Sequence, residues 1–123
     1  MSTIKQYFNA VIKQQNPTWN KMYEYSIETF SETFTGINQN QTIRKCAKAY
    51  TICYNAIFSG TYNGLSLNDV CIPDVEDCVV DYFNHKKIKH SAKEVRQVVY
   101  QIYSDLYPDA NITFEEIEEF TYG

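Results

Sequence analysis

The side chains with which this 123-residue chain could do metal or nucleophilic chemistry are four cysteines, two histidines and 15 carboxylates. Cys46 and Cys53 stand seven residues apart, as do Cys71 and Cys78. Along a helix that spacing separates two side chains by about 10.5 Å. Two zinc ligands lie only ~4 Å apart, because each bond is ~2.3 Å long. Neither pair chelates by itself, and a site would need one cysteine from each pair together with His85 or His90. Cys78 and His85 share a helix face at the same offset, far beyond the ~3 Å over which a base reaches a thiol. The four glycines are scattered, so no phosphate-cradling loop and no nucleophile elbow is present. The sequence therefore nominates no catalytic residue, no metal ligand and no cofactor. Its thiols read as small core hydrophobes.

Basic residues gather in one place. Lys86, Lys87, Lys89, Lys93 and Arg96, flanked by His85 and His90, hold five of the 11 lysines and arginines. If two helices meet at a tight corner there, these charges collect at one end of a bundle. Arg44, Lys45 and Lys48 would extend the patch, which suits phosphates or an acidic protein surface. The net charge of −4 and the acidic tail Glu115, Glu116, Glu118 and Glu119 weigh against nucleic acid.

Between Asp105 and Glu116 runs DLYPDANITFEE, with a glutamate twelfth and the aliphatic Ile112 eighth. Its second half, continued as DANITFEEIEEF, resembles the end of a calcium-binding EF-hand loop with its exiting helix. The resemblance covers about a dozen residues and implies a degenerate calcium site. Tyr107 occupies the third position in place of an acid, Pro108 the fourth, and Ala110 the sixth, where glycine makes the sharp turn. Coordination would then fall short of calcium's six to eight oxygens. A helix-loop-helix with a cap accounts for the same residues.

Tyrosine is abundant, with 11 copies against one tryptophan, although an AT-rich genome also enriches it. On a helical wheel Tyr25 and Tyr100 point away from the apolar faces of their helices, and Tyr62 falls in a turn. Exposed tyrosine suits binding because it offers a large contact area at low entropic cost.

The elements that must position these groups are helical. TIRKCAKAYTICYNAIF, residues 42–58, places Ile43, Cys46, Ala47, Tyr50, Cys53, Tyr54, Ile57 and Phe58 on one face. Arg44, Lys45, Lys48, Thr51 and Asn55 fall opposite, and this segment reads as the central helix. A first helix is expected over about residues 3–15, ending at Asn16-Pro17, which also opens the next helix. In that second helix Trp19, Tyr23, Ile27, Phe30 and Phe34 form a stripe that Gly36 terminates. Asn63-Gly64 marks a tight turn, giving a small hairpin or an irregular loop near 60–72. Pro73 starts a fourth helix with Val75, Cys78, Val79, Tyr82 and Phe83 inward. Ser91 with Glu94 forms a capping box before a fifth, carrying Val95, Val98, Val99, Ile102, Tyr103 and Leu106. Thr113 with Glu116 makes a second capping box, opening a last helix over about 113–121.

These readings predict an all-α, compact single-domain bundle of five to six helices. Length, 44% hydrophobic content and 21% charge are those of a folded globule. The N-terminus lacks the continuous apolar core of a signal peptide, and no 18-residue apolar run exists. That predicts a cytosolic protein (in the host cytoplasm if viral) with free thiols and no membrane partner. The expected function is non-enzymatic protein binding, regulatory or inhibitory, with Tyr25, Tyr62 and Tyr100 as contact residues. In style the chain is similar to small accessory proteins of phages and mobile elements. The alternative is a nucleic-acid-binding regulator using Lys86, Lys87, Lys89, Lys93 and Arg96. Homo-oligomerisation is compatible with either.

Overall fold

Cys46, Ala47, Ala49, Ile52, Cys53, Ala56 and Ile57 all lie on one helix and are all shielded from solvent. They explain the architecture of the chain. The computed structural model describes residues 17–36, 38–60, 62 and 68–121. Its helices are α1 (Pro17–Thr33), α2 (Asn40–Phe58), α3 (Ile72–His85), α4 (Ala92–Leu106) and α5 (Phe114–Phe120), with a 3₁₀ turn at Pro108–Ala110. Among the described residues no strand occurs, and the fold is an all-α bundle. The helix expected over 3–15 and the Asn63-Gly64 turn lie outside the described residues.

Helix α2 is central because α1, α3 and α4 all pack on it. Its small residues Ala47, Ala49 and Ala56 are fully buried. Enclosure on three sides corrects two sequence expectations. Thr51, expected outside, is fully buried, and it tolerates this because its hydroxyl donates to the Ala47 carbonyl at 2.9 Å. Phe58, expected inside, is 57% exposed. It is the last residue of α2 and stacks on Tyr54 at 5.8 Å instead of entering the core.

The remaining stripes fold inward much as their spacing dictates. Trp19 and Phe30 of α1 and Phe34 just after it are buried, while Tyr23 and Ile27 are half-buried. Val75, Cys78, Val79, Tyr82 and Phe83 of α3 are buried, as are Val95, Val98, Val99 and Ile102 of α4. Ile117 anchors α5. Ser26 joins the core unannounced, its hydroxyl donating to the Tyr23 carbonyl at 2.8 Å.

Helix ends are set by local chemistry. Ser91 Oγ accepts from the Glu94 amide (3.1 Å), and Glu94 Oε1 accepts from the Ser91 amide (2.8 Å), completing the capping box. At α5 the Thr113 hydroxyl accepts from the Glu116 amide, as expected, but the Glu116 carboxylate accepts from that hydroxyl. Gly36 follows α1 with φ of 125°. The end of α3 is less conventional. The amide of Ile88 donates to the Phe83 carbonyl (2.9 Å) and that of Lys87 to the Asn84 carbonyl (3.1 Å). These are the two hydrogen bonds of a Schellman motif, whose left-handed position favours glycine. Lys87 holds it at φ 56°. An L-residue there costs about 1–2 kcal/mol, part of which glycine would return as chain entropy. Lys87→Gly is therefore expected to stabilise the fold by about 0.5–1 kcal/mol in urea unfolding. A loss of stability would mean that the lysine side chain contributes more than its backbone strain removes.

Candidate functional site

The expected meeting of basic residues takes place at the corner between α3 and α4, against the first half of α2. Two adjacent open clefts of about 550 and 570 Å³ lie there and share Gln41, Lys45 and Ile88. Lys87, Lys89 and His90 line the first, while Arg44, Lys48 and Tyr23 line the second. Ile88 and Tyr23, both half-buried, supply an apolar floor between cations. The Schellman turn makes this arrangement. It reverses the chain within a few residues, so Lys86 through Ser91 fold back over Phe83, and the His90 ring stacks on Phe83 at 4.9 Å.

Lys45 is the fixed point of the surface. Its Nζ lies 2.5 Å from Glu94 Oε2 and donates to the Lys89 carbonyl at 3.0 Å. Helix α2 is thereby tied to the corner that carries the other lysines. Partial burial pushes the Glu94 carboxyl up, but the bonds from Lys45 and Ser91 outweigh it and hold the group below the ordinary glutamate value. Glu94 stays ionised and neutralises Lys45, leaving the flanking cations to an outside anion.

Not every predicted cation joins the clefts. Lys86, Lys87, Lys89 and Lys93 are exposed, and Lys93 Nζ sits 6.0 Å from the centroid of the Phe34 ring. Arg96 is a correction. It is half-buried, lies outside the residues lining either cleft, and donates from Nε to Thr121 Oγ1 at 3.1 Å. It lies two residues beyond the capping box, on the side of α4 from which it reaches Thr121 at the end of α5.

The three tyrosines do not form one surface. Tyr62, read as an exposed turn residue, is 2% exposed. The chain folds back after α2, so its amide reaches the Ala56 carbonyl (3.4 Å) and its hydroxyl bonds Asp81 of α3. Tyr100 is half-buried and meets Phe114 edge-on at 5.9 Å. Tyr25 is 44% exposed but engaged elsewhere: its hydroxyl donates to Asp105 (3.3 Å) and accepts from Gln101 (3.0 Å). Partial burial and the Asp105 charge both raise its pKa.

The same geometry reassigns Asp105, the first residue of the loop that resembles an EF-hand. Its carboxylate turns into the junction of α1, α2 and α4, accepting from Tyr50 (2.5 Å) and Gln101 (3.1 Å). Asn111 provides the left-handed turn at φ 50°. Among the described residues no group of three or more histidine, cysteine, aspartate or glutamate side chains is placed to hold a metal ion.

One thiol from each sequence pair does meet its counterpart, with Cys53 Sγ donating to the Cys78 carbonyl at 3.6 Å. Both are fully buried. Burial, reinforced by Cys53, pushes the Cys78 thiol well up, and burial lifts Cys46 to about 12. Cys46 and Cys78 are protonated at neutral pH, and with Cys53 they pack as hydrophobes. Cys71, just before α3, is exposed.

Ile88, Gln41 and Thr42 as cleft residues, and the pairing of Lys45 with Glu94, are not announced by spacing in the sequence. The signal the chain does carry is charge segregation. Residues 34–68 and 82–104 hold eight of the 11 basic residues and only Glu94 of the 15 acidic ones. No described helix is long and apolar enough to cross a membrane. Compared with protein-family models, with curated proteins and with solved structures, the chain matches none of them.

Proposed function

We propose that the chain is a non-enzymatic regulatory or inhibitory protein whose partner is another protein. That partner presents an acidic segment to the basic face formed by α2 and residues 86–91. One observation carries this reading: Arg44, Lys45, Lys48, Lys87 and Lys89 line two adjoining clefts, and the single carboxylate that lines them, Glu94, is already paired with Lys45. A face of that sign steers an oppositely charged surface and fixes its orientation.

A protein partner fits better than nucleic acid. The half-buried Ile88 and Tyr23 give an apolar floor that a side chain can cover and a phosphate backbone cannot. Fourteen carboxylates outside the patch oppose the approach of a long polyanion. The expected tyrosine surface gains no support, because Tyr62 is buried and Tyr25 is held by Asp105 and Gln101.

The test uses a short oligo-glutamate peptide and a mixed-sequence DNA duplex of matched charge, each titrated into the full chain by calorimetry. Expected is peptide binding that weakens as salt rises, and that falls at least about tenfold in Lys87→Glu/Lys89→Glu. Tighter, steeply salt-dependent binding of the duplex would replace this reading with the nucleic-acid one. Binding of neither, or peptide binding indifferent to the charge reversal, would end it.

A further inference from the structure

We infer that the basic face of one copy receives the acidic helix α5 of a second copy. The inference uses the site of the proposed function but names a different occupant, the chain itself. Helix α5, FEEIEEF, carries no basic residue. Glu115, Glu116, Glu118 and Glu119 are all exposed, and beside them Phe120 is 53% exposed. It is the second of only three large hydrophobic residues so exposed among those described. An acidic surface with an apolar knob is what the clefts call for, since Arg44, Lys48, Lys87 and Lys89 flank the apolar Ile88 and Tyr23.

Within one copy α5 is fixed. Ile117 is fully buried, α5 packs on α3 and α4, and Arg96 bonds Thr121 immediately after the helix. The glutamates therefore stand outward as a rigid edge, and a second copy can meet them without any segment refolding. Rigid presentation matters because ordering a flexible tail would consume much of what exposed ion pairs return. Each copy holds one basic face and one acidic edge. A two-fold arrangement satisfies both on both copies, while a head-to-tail arrangement closes into a ring or extends as an open chain. The same contact serves either.

Sedimentation velocity of the full chain over a concentration series tests this. At low ionic strength the weight-average mass is expected to rise with concentration, and at about 1 M salt, where the screening length is ~3 Å, the chain is expected to be monomeric. Two charge-reversed variants are then compared: Arg44→Glu/Lys48→Glu/Lys87→Glu/Lys89→Glu in the clefts, and Glu115→Lys/Glu116→Lys/Glu118→Lys/Glu119→Lys on α5. Each alone is expected to weaken association by roughly tenfold to a hundredfold, given four exposed pairs. An equimolar mixture is expected to associate again, because each reversed surface then meets its complement. Unchanged circular dichroism melting confirms that both variants fold. Should either unfold, Phe120→Ser alone is expected to weaken association at low salt.

A wild-type chain that stays monomeric at every concentration and ionic strength overturns the inference. Association that survives both reversals does so too, as does a mixture that fails to restore it. A monomeric chain that still binds oligo-glutamate sinks the self-contact and leaves the proposed function standing. Loss of peptide binding with self-association intact does the reverse.

Discussion

Replacing Tyr62 with alanine is expected to cost about 3–5 kcal/mol of stability, the range for removing a large buried aromatic ring. Oligo-glutamate binding at the basic face should stay unchanged. The ring is 2% exposed, and the hydroxyl bonds Asp81. Alanine therefore leaves a void in the core and also takes a donor from a carboxylate on α3. Tyr62→Phe separates the two contributions, because it keeps the ring and removes only the hydrogen bond. It is expected to cost about 1.5–3 kcal/mol, as for bonds to charged groups. Urea unfolding followed by circular dichroism reads both values. A Tyr62→Ala variant as stable as wild type would return Tyr62 to the surface, where its place in a turn had put it.

Asp105→Ala is expected to cost about 2–3 kcal/mol, because the almost fully buried Tyr50 hydroxyl loses its acceptor. The carboxylate also accepts from Gln101 and Tyr25, so one side chain ties α1, α2 and α4 together. Tyr25→Phe should cost under about 1 kcal/mol, since that hydroxyl is partly hydrated and its bonds are long. If the two variants cost the same, the junction is not organised by Tyr50 and Asp105.

A pH dependence follows from the same junction. Burial first, and then the bond to Asp105, raises the Tyr50 pKa above the ordinary 10.0; burial and Asp81 raise that of Tyr62. A group whose folded pKa is raised contributes stability that is complete below its unfolded value and is lost as pH rises above it. Stability should therefore hold up to about pH 9 and fall above pH 10, as the unfolded chain releases tyrosine protons that the fold retains. Equilibrium urea unfolding at stepped alkaline pH measures the slope. Tyr50→Phe is expected to flatten part of it.

Much of this architecture follows from periodicity and caps alone. Residues 42–58 carry apolar side chains at steps of three and four, and α2 forms there. Ser91 and Glu94 need only each other to start α4. Pro73 and Gly36 act through backbone geometry that does not depend on distant residues. The gathering of cations near 86–96 is likewise visible in the chain, because a tight corner after α3 keeps sequence neighbours close in space.

Tertiary packing decided what a single helix wheel cannot represent. Thr51 is buried because α2 has neighbours on three sides, while Phe58, the last residue of α2, is exposed and stacks on Tyr54. Tyr62 is buried because the chain turns back onto α3, which nothing in the local turn signal encodes. Asp105 looks like the first ligand of a loop until Tyr50, 55 residues earlier in the chain, takes its carboxylate. Lys45 reaches Glu94 across 49 residues, and that pair turns a list of lysines into a face with a fixed centre. Local spacing determined which residues are helical and where charge concentrates, because caps, turns and periodicity act within one or two turns of chain. Which side chains are sealed, paired or left for a partner was decided by helix-on-helix contacts, whose distances no spacing in the sequence contains.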